Sequence, residues 1–194
     1  MDTGNMSDTR NKLPEVVVFA GPNGSGKSTI TGPEWIKGQY INADDLKREN
    51  SLTDLAAAEL ADTLRNEALS RGADITFETV LSTQRKLDFL QLARDKGYFI
   101  RGYFVLTTSP MVNIGRVKER EMRGLHGVPP EKIISRYEKA LLNIPRFLRL
   151  CDICHIYDNT DNLHRIVRKH KSDITFFENE YWSLERIQDL ILTR

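Results

Sequence analysis

The chain has 194 residues and a net charge of +1, with 40% hydrophobic and 28% charged residues. That length suits one α/β domain with a sizeable core, and the near-neutral balance removes any bulk electrostatic pull toward nucleic acid or a membrane surface. No apolar run approaches the roughly 20 residues that span a bilayer. Residues 1–12 are polar, without the apolar core of a signal peptide. They read as a disordered tail ahead of one domain over 13–194, in a cytoplasmic protein.

The β-branched run Val16-Val17-Val18-Phe19-Ala20 reads as a buried parallel strand. It leads into Gly21-Pro22-Asn23-Gly24-Ser25-Gly26-Lys27-Ser28-Thr29, which fits G-x-x-x-x-G-K-[ST]. Such a loop wraps the phosphates of a nucleoside triphosphate with its backbone N–H groups, and glycines supply the backbone angles that other residues avoid. The lysine adds a point charge, the serine hydroxyl can hold Mg²⁺, and the helix start that follows favours an anion. That helix is very short, stopped by Gly32-Pro33.

Residues 39–42 read as a second strand, followed at once by Ala43-Asp44-Asp45. Ser51 or Thr53 caps a long Ala/Leu-rich helix that ends near Gly72. A third strand spans 74–78, and Ser82 or Thr83 opens a helix carrying Leu87, Leu90 and Leu92 and closed by Gly97. The fourth strand is 98–106; Ser109-Pro110, a cap followed by proline at the first helical position, starts a helix that runs to about Gly124. After the loop 125–129 another helix begins at Pro130-Glu131, with Ile133, Ile134, Tyr137, Leu141 and Ile144 on one face. The fifth strand is 152–157, and the tail adds a hairpin (164–167 with 174–177) and a final helix from Ser183. Repeated βα units predict an α/β fold with a parallel five-stranded sheet and helices on both faces. Ligands belong at the carboxyl ends of its strands.

Cys151-Asp152-Ile153-Cys154-His155 matches C-x-x-C-H, the pattern of covalent haem attachment. That chemistry requires export, no signal is visible, and the segment continues as a core strand. Two reduced, buried thiols are the better account, and a zinc site with His155 is set aside with the haem.

The carboxyl-end rule selects the residues that carry chemistry. Beside the phosphate loop it places Asp44 and Asp45, then Glu78 and Thr79, then Thr107 and Thr108, then Asp158 and Asn159. Phosphoryl transfer needs a group to orient or deprotonate the acceptor hydroxyl, and a carboxylate is the usual one. Asp44 is the candidate base, while Asp45 is expected to cap the following helix. Glu78 is expected to position the acceptor or to orient a Mg²⁺-bound water, the alternative being a strand-end carboxylate paired with a lysine. Arg116, Arg120 and Arg123 are spaced i, i+4 and i+7 on one helix face, where a triphosphate would neutralise them; the bland alternative is a solvated face. The loop after that helix, flanked by Gly124 and Gly127, reads as a lid over roughly 110–130.

The string 21–29, then Ile41-Asn42-Ala43-Asp44-Asp45, then Phe77-Glu78-Thr79-Val80-Leu81-Ser82 resembles the zeta-toxin family of P-loop kinases. So does the later run of Arg116 through Gly124, His126, Val128-Pro129, Arg136-Tyr137 and Tyr157-Asp158-Asn159. The resemblance covers about 15–160 in order. It implies a nucleoside-monophosphate-kinase-like fold that uses ATP and Mg²⁺ to phosphorylate a hydroxyl of a small molecule, with UDP-N-acetylglucosamine or a related nucleotide sugar as acceptor and an antitoxin protein as partner. It also implies Asp44 as base, Glu78 and Thr79 at the acceptor, Lys27 and Ser28 on the phosphates and metal, and lid arginines led by Arg120, with Arg116, Arg123 or Arg136 beside it. The chain departs from the family pattern in having no arginine at His126, a shorter helix after the phosphate loop, and Thr79-Val80-Leu81-Ser82 where the toxins have a glycine-rich stretch. Outside the family, the phosphate loop alone also fits an ATPase or a nucleotide-dependent switch. A kinase for nucleic-acid ends would fit it too, although the near-zero net charge counts against that.

Overall fold

The structure is a computed structural model, and it describes residues 12–124 and 127–192. The tail read over 1–11 and the loop residues Leu125 and His126 lie outside the described residues. Seven strands form one sheet: β1 (Glu15–Ala20), β2 (Gln39–Ile41), β3 (Ile75–Thr79), β4 (Phe99–Leu106), β5 (Ile153–Asp158), β6 (His164–His170) and β7 (Asp173–Phe176). Their order is β2-β3-β1-β4-β5-β6-β7. The first five of that order pair in parallel, as the alternating pattern predicts, and β6 and β7 extend the edge as an antiparallel hairpin. The hairpin adds two strands to the expected five.

The helices are α1 (Ala43–Asn50), α2 (Asp54–Ser70), α3 (Gln84–Asp95), α4 (Pro110–Met122), α5 (Pro130–Leu142), α6 (Ile144–Leu150) and α7 (Leu184–Leu192). Among the described residues no helix is long and apolar enough to cross a membrane. Thr53 caps α2, accepting from the Ala56 N–H at 3.2 Å. Ser109 caps α4 ahead of Pro110, accepting from the Met111 N–H at 3.2 Å. The cap of α1 is not Asp45 but Asn42, whose side chain accepts from the Asp44 N–H at 2.9 Å. Asn42 is the last residue with extended backbone, so it alone faces the unpaired N–H groups of the first turn.

β1 is buried along its whole length, between β3 and β4. Its residues Val16, Val18 and Ala20 face the main core, where Phe77, Phe104 and Ile156 of the neighbouring strands meet Ala61, Ala68, Leu87, Leu90, Phe147, Trp182 and Ile187 of α2, α3, α6 and the C-terminal segment. Each fully buried phenylalanine there contributes about 1.5–3 kcal/mol by leaving water. Cys151 and Cys154 are buried free thiols in that core, with burial pushing the Cys151 thiol well above its ordinary pKa.

The opposite face is different. Val17, Phe19 and Tyr103 pack there against Ile30 and Tyr157. Two 3₁₀ turns, Lys27–Thr29 and Pro33–Trp35, lie in the segment over this face in place of the expected second helical layer. Gly32 and Pro33 stop the helix after one turn. Trp35 then sets its ring edge-on to Tyr103 at 5.6 Å, and the Lys37 N–H donates to Thr76 Oγ1 at 2.8 Å.

Candidate active site

The phosphate loop leaves β1 and turns on Gly21, Gly24 and Gly26, at φ +143°, +77° and +92°. Gly26 must lack a side chain for a second reason: a Cβ there would collide with the amide nitrogen of Asn159. That nitrogen donates to the Ser25 carbonyl at 2.9 Å. From the other side, Asn113 Nδ2 of α4 donates to the Asn23 carbonyl at 2.7 Å. Asn113 is itself held by Thr107 Oγ1 at 2.5 Å, and the Thr107 carbonyl accepts from Tyr137 Oη at 2.5 Å. Burial pushes the Tyr137 phenol up to about 12, so it stays a donor. The loop is therefore shaped by two asparagines from distant parts of the chain, which orders its backbone before any ligand arrives.

Lys27 arches back over the loop, its Nζ donating to the Gly21 and Pro22 carbonyls at 2.9 and 3.2 Å. Burial lowers its pKa, while the Glu78 and Asp44 carboxylates oppose that shift. The Ser25 hydroxyl is buried with no hydrogen-bond partner among the described residues. A triphosphate fits this donor set: glycine-shaped backbone, one ammonium and hydroxyls at Ser25 and Ser28. Ser28 is exposed on the turn after the loop. The described residues contain no cluster of three His, Cys, Asp or Glu side chains, so Mg²⁺ here would draw its ligands from Ser28, phosphate oxygens and water.

In front of the loop lies a crevice of about 330 Å³. Asn23 and Lys27 of the loop, Asp44 and Lys47 of α1, and Glu78 and Thr79 at the end of β3 line it. Arg120 of α4 and Arg136 of α5 line it too, and Arg136 Nη1 donates to Asn23 Oδ1 at 3.3 Å. Glu78 is oriented by Tyr40, whose Oη donates to Glu78 Oε1 at 2.7 Å and accepts from Asn42 Nδ2 at 3.2 Å. Burial and that carboxylate push the Tyr40 pKa upward, so the phenol keeps its proton. Asp44 projects from the first turn of α1, exposed and two residues after the capping Asn42. The Asp44 carboxylate, the Lys27 ammonium and the Glu78 carboxylate thus border one crevice.

Seven residues singled out from sequence meet here: Asn23, Lys27, Asp44, Glu78, Thr79, Arg120 and Arg136 border the crevice. Arg116 does not. It turns toward the loop after β5, where its Nη2 donates to the Thr160 carbonyl at 2.7 Å. Arg123, the exposed residue that ends α4, does not border it either, so the three arginines do not act as one face. Thr29 borders a separate cavity of about 290 Å³ on the other side of the loop, with Trp35, Tyr103 and Tyr157. Tyr40, Asn113, Arg65 and Lys86 also belong to the site or its supports without being marked in the sequence. Only the rule that ligands gather at strand ends pointed toward Tyr40, and no local motif marks the others.

A parallel sheet with a phosphate loop after its central strand, a strand-end carboxylate pair and a basic helix above them define a P-loop kinase fold, the class whose chemistry is nucleotide-dependent phosphoryl transfer. The family model described as zeta toxin matches residues 37–172, more than half of the chain, and the chain belongs to the zeta toxin family. The match begins beyond the phosphate loop, so the loop is independent support. The chain is similar to an uncharacterized protein of Haemophilus influenzae, 23% identical over 129 residues that cover 63% of this chain and 92% of the relative. In structure it is similar to the AvrRxo1-ORF1:-ORF2 complex with ATP, at TM-score 0.67 and 16% identity. That alignment covers 86% of this chain but only 61% of the AvrRxo1 chain, so the chain spans about three fifths of that relative's length. It is also similar to the PezAT chromosomal toxin–antitoxin system of Streptococcus pneumoniae, at TM-score 0.58 and 17% identity, covering 97% of this chain and 82% of the other.

Proposed function

We propose that the protein transfers the γ-phosphoryl group of ATP to a hydroxyl of a small molecule, a nucleotide sugar of the UDP-N-acetylglucosamine kind being the acceptor that the family resemblance implies. The observation that carries this is the sharing of one crevice by Lys27, Asp44 and Glu78. The acceptor oxygen attacks the γ-phosphorus, the bond to the β–γ bridging oxygen breaks, and ADP leaves with that electron pair. Asp44 takes the proton of the acceptor hydroxyl. Glu78, fixed by Tyr40, holds a neighbouring acceptor hydroxyl so that the attacking oxygen is in line. Lys27, Arg120 and Arg136 meet the charge that spreads over the phosphoryl oxygens during transfer. Mg²⁺ would be held by Ser28 and the phosphates, and would supply further charge neutralisation. The segment over 110–130 serves as a lid that excludes water.

Such an activity draws on ATP and a soluble metabolite, which fits a cytoplasmic protein kept in check by a partner. PezAT is described as a toxin–antitoxin system, and an antitoxin chain that occludes this crevice is the partner the proposal carries. Incubating the protein with γ-labelled ATP and a metabolite extract tests the central step. A labelled small molecule is the expected product. Label appearing only as free phosphate would support an ATPase or switch instead.

A further inference from the structure

Among the described residues, three that are not glycine have positive φ: Ser51, Leu81 and Lys171. Ser51 ends α1 and Lys171 turns the β6–β7 hairpin, both places where a left-handed residue is ordinary. Leu81 does neither. It stands at φ +58° between β3 and α3, where its own Cβ disfavours that backbone, and its side chain is fully buried in the main core. Such a conformation persists only where the surroundings over-determine it.

Both backbone polar groups of Leu81 are held by side chains. Its N–H donates to Thr79 Oγ1 at 3.0 Å, and its carbonyl accepts from Asn143 Nδ2 at 2.8 Å. Asn143 Oδ1 accepts in turn from Nε2 of Gln84, the first residue of α3, at 2.9 Å. Asn143 is buried at the junction of α5 and α6. An asparagine at that position ordinarily turns its side chain onto the first N–H groups of the following helix. This one makes no cap bond and reaches across to Leu81 instead.

The strained residue lies in the site. Thr79, Val80, Leu81, Ser82 and Thr83 follow Glu78, and all five border the crevice. α5 meets the opposite, nucleotide side through Arg136, which donates to Asn23 of the phosphate loop. A stretch of helix about 10 Å long, from Arg136 to Asn143, therefore touches the donor side at one end and the acceptor side at the other.

We propose that Asn143 is a positioning residue for phosphoryl transfer: by locking Leu81 in its left-handed conformation it fixes residues 79–83, the acceptor side of the crevice, relative to the phosphate loop. Asn143 does not border the crevice and acts through Leu81. The inference rests on the kinase proposal for the same crevice.

Asn143→Ala removes the lock and leaves every side chain that borders the crevice unchanged. Transfer from γ-labelled ATP is followed against serial dilutions of a metabolite extract. The extract concentration that gives half-maximal labelling is expected to rise about tenfold, while the affinity for an ATP analogue stays within about twofold. A lowered Tm with half-saturation unchanged makes Asn143 structural only and overturns the proposal. Gln84→Ala keeps the Asn143–Leu81 bond, so its half-saturation should stay within about threefold of the parent; a shift equal to that of Asn143→Ala overturns the role of Leu81. Should the alanine variant not fold, Asn143→Asp, of equal size but without the N–H donor, carries the same expectation. Hydrogen exchange of the Leu81 amide needs no acceptor. It should quicken about tenfold in Asn143→Ala with β1 unaffected, and unchanged exchange overturns the lock. Free labelled phosphate as the only product of the parent protein overturns the kinase reading and the positioning role with it, while quickened exchange would still leave the lock on Leu81 standing.

Discussion

Replacing Gly26 with alanine tests the claim that the phosphate loop is shaped from outside. Gly26 sits at φ +92°, and a Cβ there collides with the Asn159 amide. The backbone term alone costs about 1–2 kcal/mol. The collision forces the amide aside and breaks its 2.9 Å bond to the Ser25 carbonyl, which leaves a buried acceptor unpaired. That adds about 1–3 kcal/mol. Asn159→Ala loses the same bond without the backbone strain, again about 1–3 kcal/mol. The double variant Gly26→Ala/Asn159→Ala can lose the bond only once. It is therefore less destabilised than the sum of the single variants by about 1–3 kcal/mol. Urea unfolding gives the three stability differences, and the dissociation constant of a fluorescent ATP analogue gives the part of the loss that falls on binding. For a domain of this size each kcal/mol appears as about 2–4 °C in Tm. Additivity within about 0.5 kcal/mol would refute the reasoning, because the collision and the tether would then be separate matters.

Asp44→Ala is expected to lower phosphoryl transfer by about 10²–10⁴ while ATP-analogue affinity stays within a few-fold; unchanged transfer removes Asp44 as base. Tyr40→Phe frees Glu78 from its 2.7 Å bond, so kcat should fall with little change in Tm, whereas a stability loss without a kinetic one would mark Tyr40 as structural. His155 is held down to about 4 by burial and by Arg165, Arg168 and Arg101. The unfolded chain then binds the extra proton, with its pKa near about 6.5, so stability is fully present above that value and falls as pH drops toward 4. His155→Phe should flatten that slope in urea titrations at stepped pH, and an unchanged slope would assign it to other groups.

The strands and the phosphate loop were legible because their chemistry is local: β-branched runs must be buried, and a glycine-lysine loop has few other uses. What escaped was pairing across the sheet. Tyr40 and Glu78 are 38 residues apart and meet only because β2 lies beside β3. Helical spacing put Arg116 with Arg120 and Arg123, but it could not show that the Thr160 carbonyl, 44 residues away, would capture Arg116. The sequence put the cap of α1 at Asp45, but the backbone stays extended only as far as Asn42, so Asn42 holds that place. α6 was hidden because Ile144 continues the apolar stripe of α5, although Pro145 sits where only a new helix start tolerates it.

The asparagine tethers give the loop no shape of its own. Asn113 belongs to α4, the helix that also carries Arg120, and Asn159 follows the last parallel strand. A binder that shifts the start of α4 by a fraction of an ångström would slacken the nucleotide cradle without entering it. The seat of α4 and the shape of the phosphate loop are therefore one variable: Asn113 cannot move without the Asn23 carbonyl it holds.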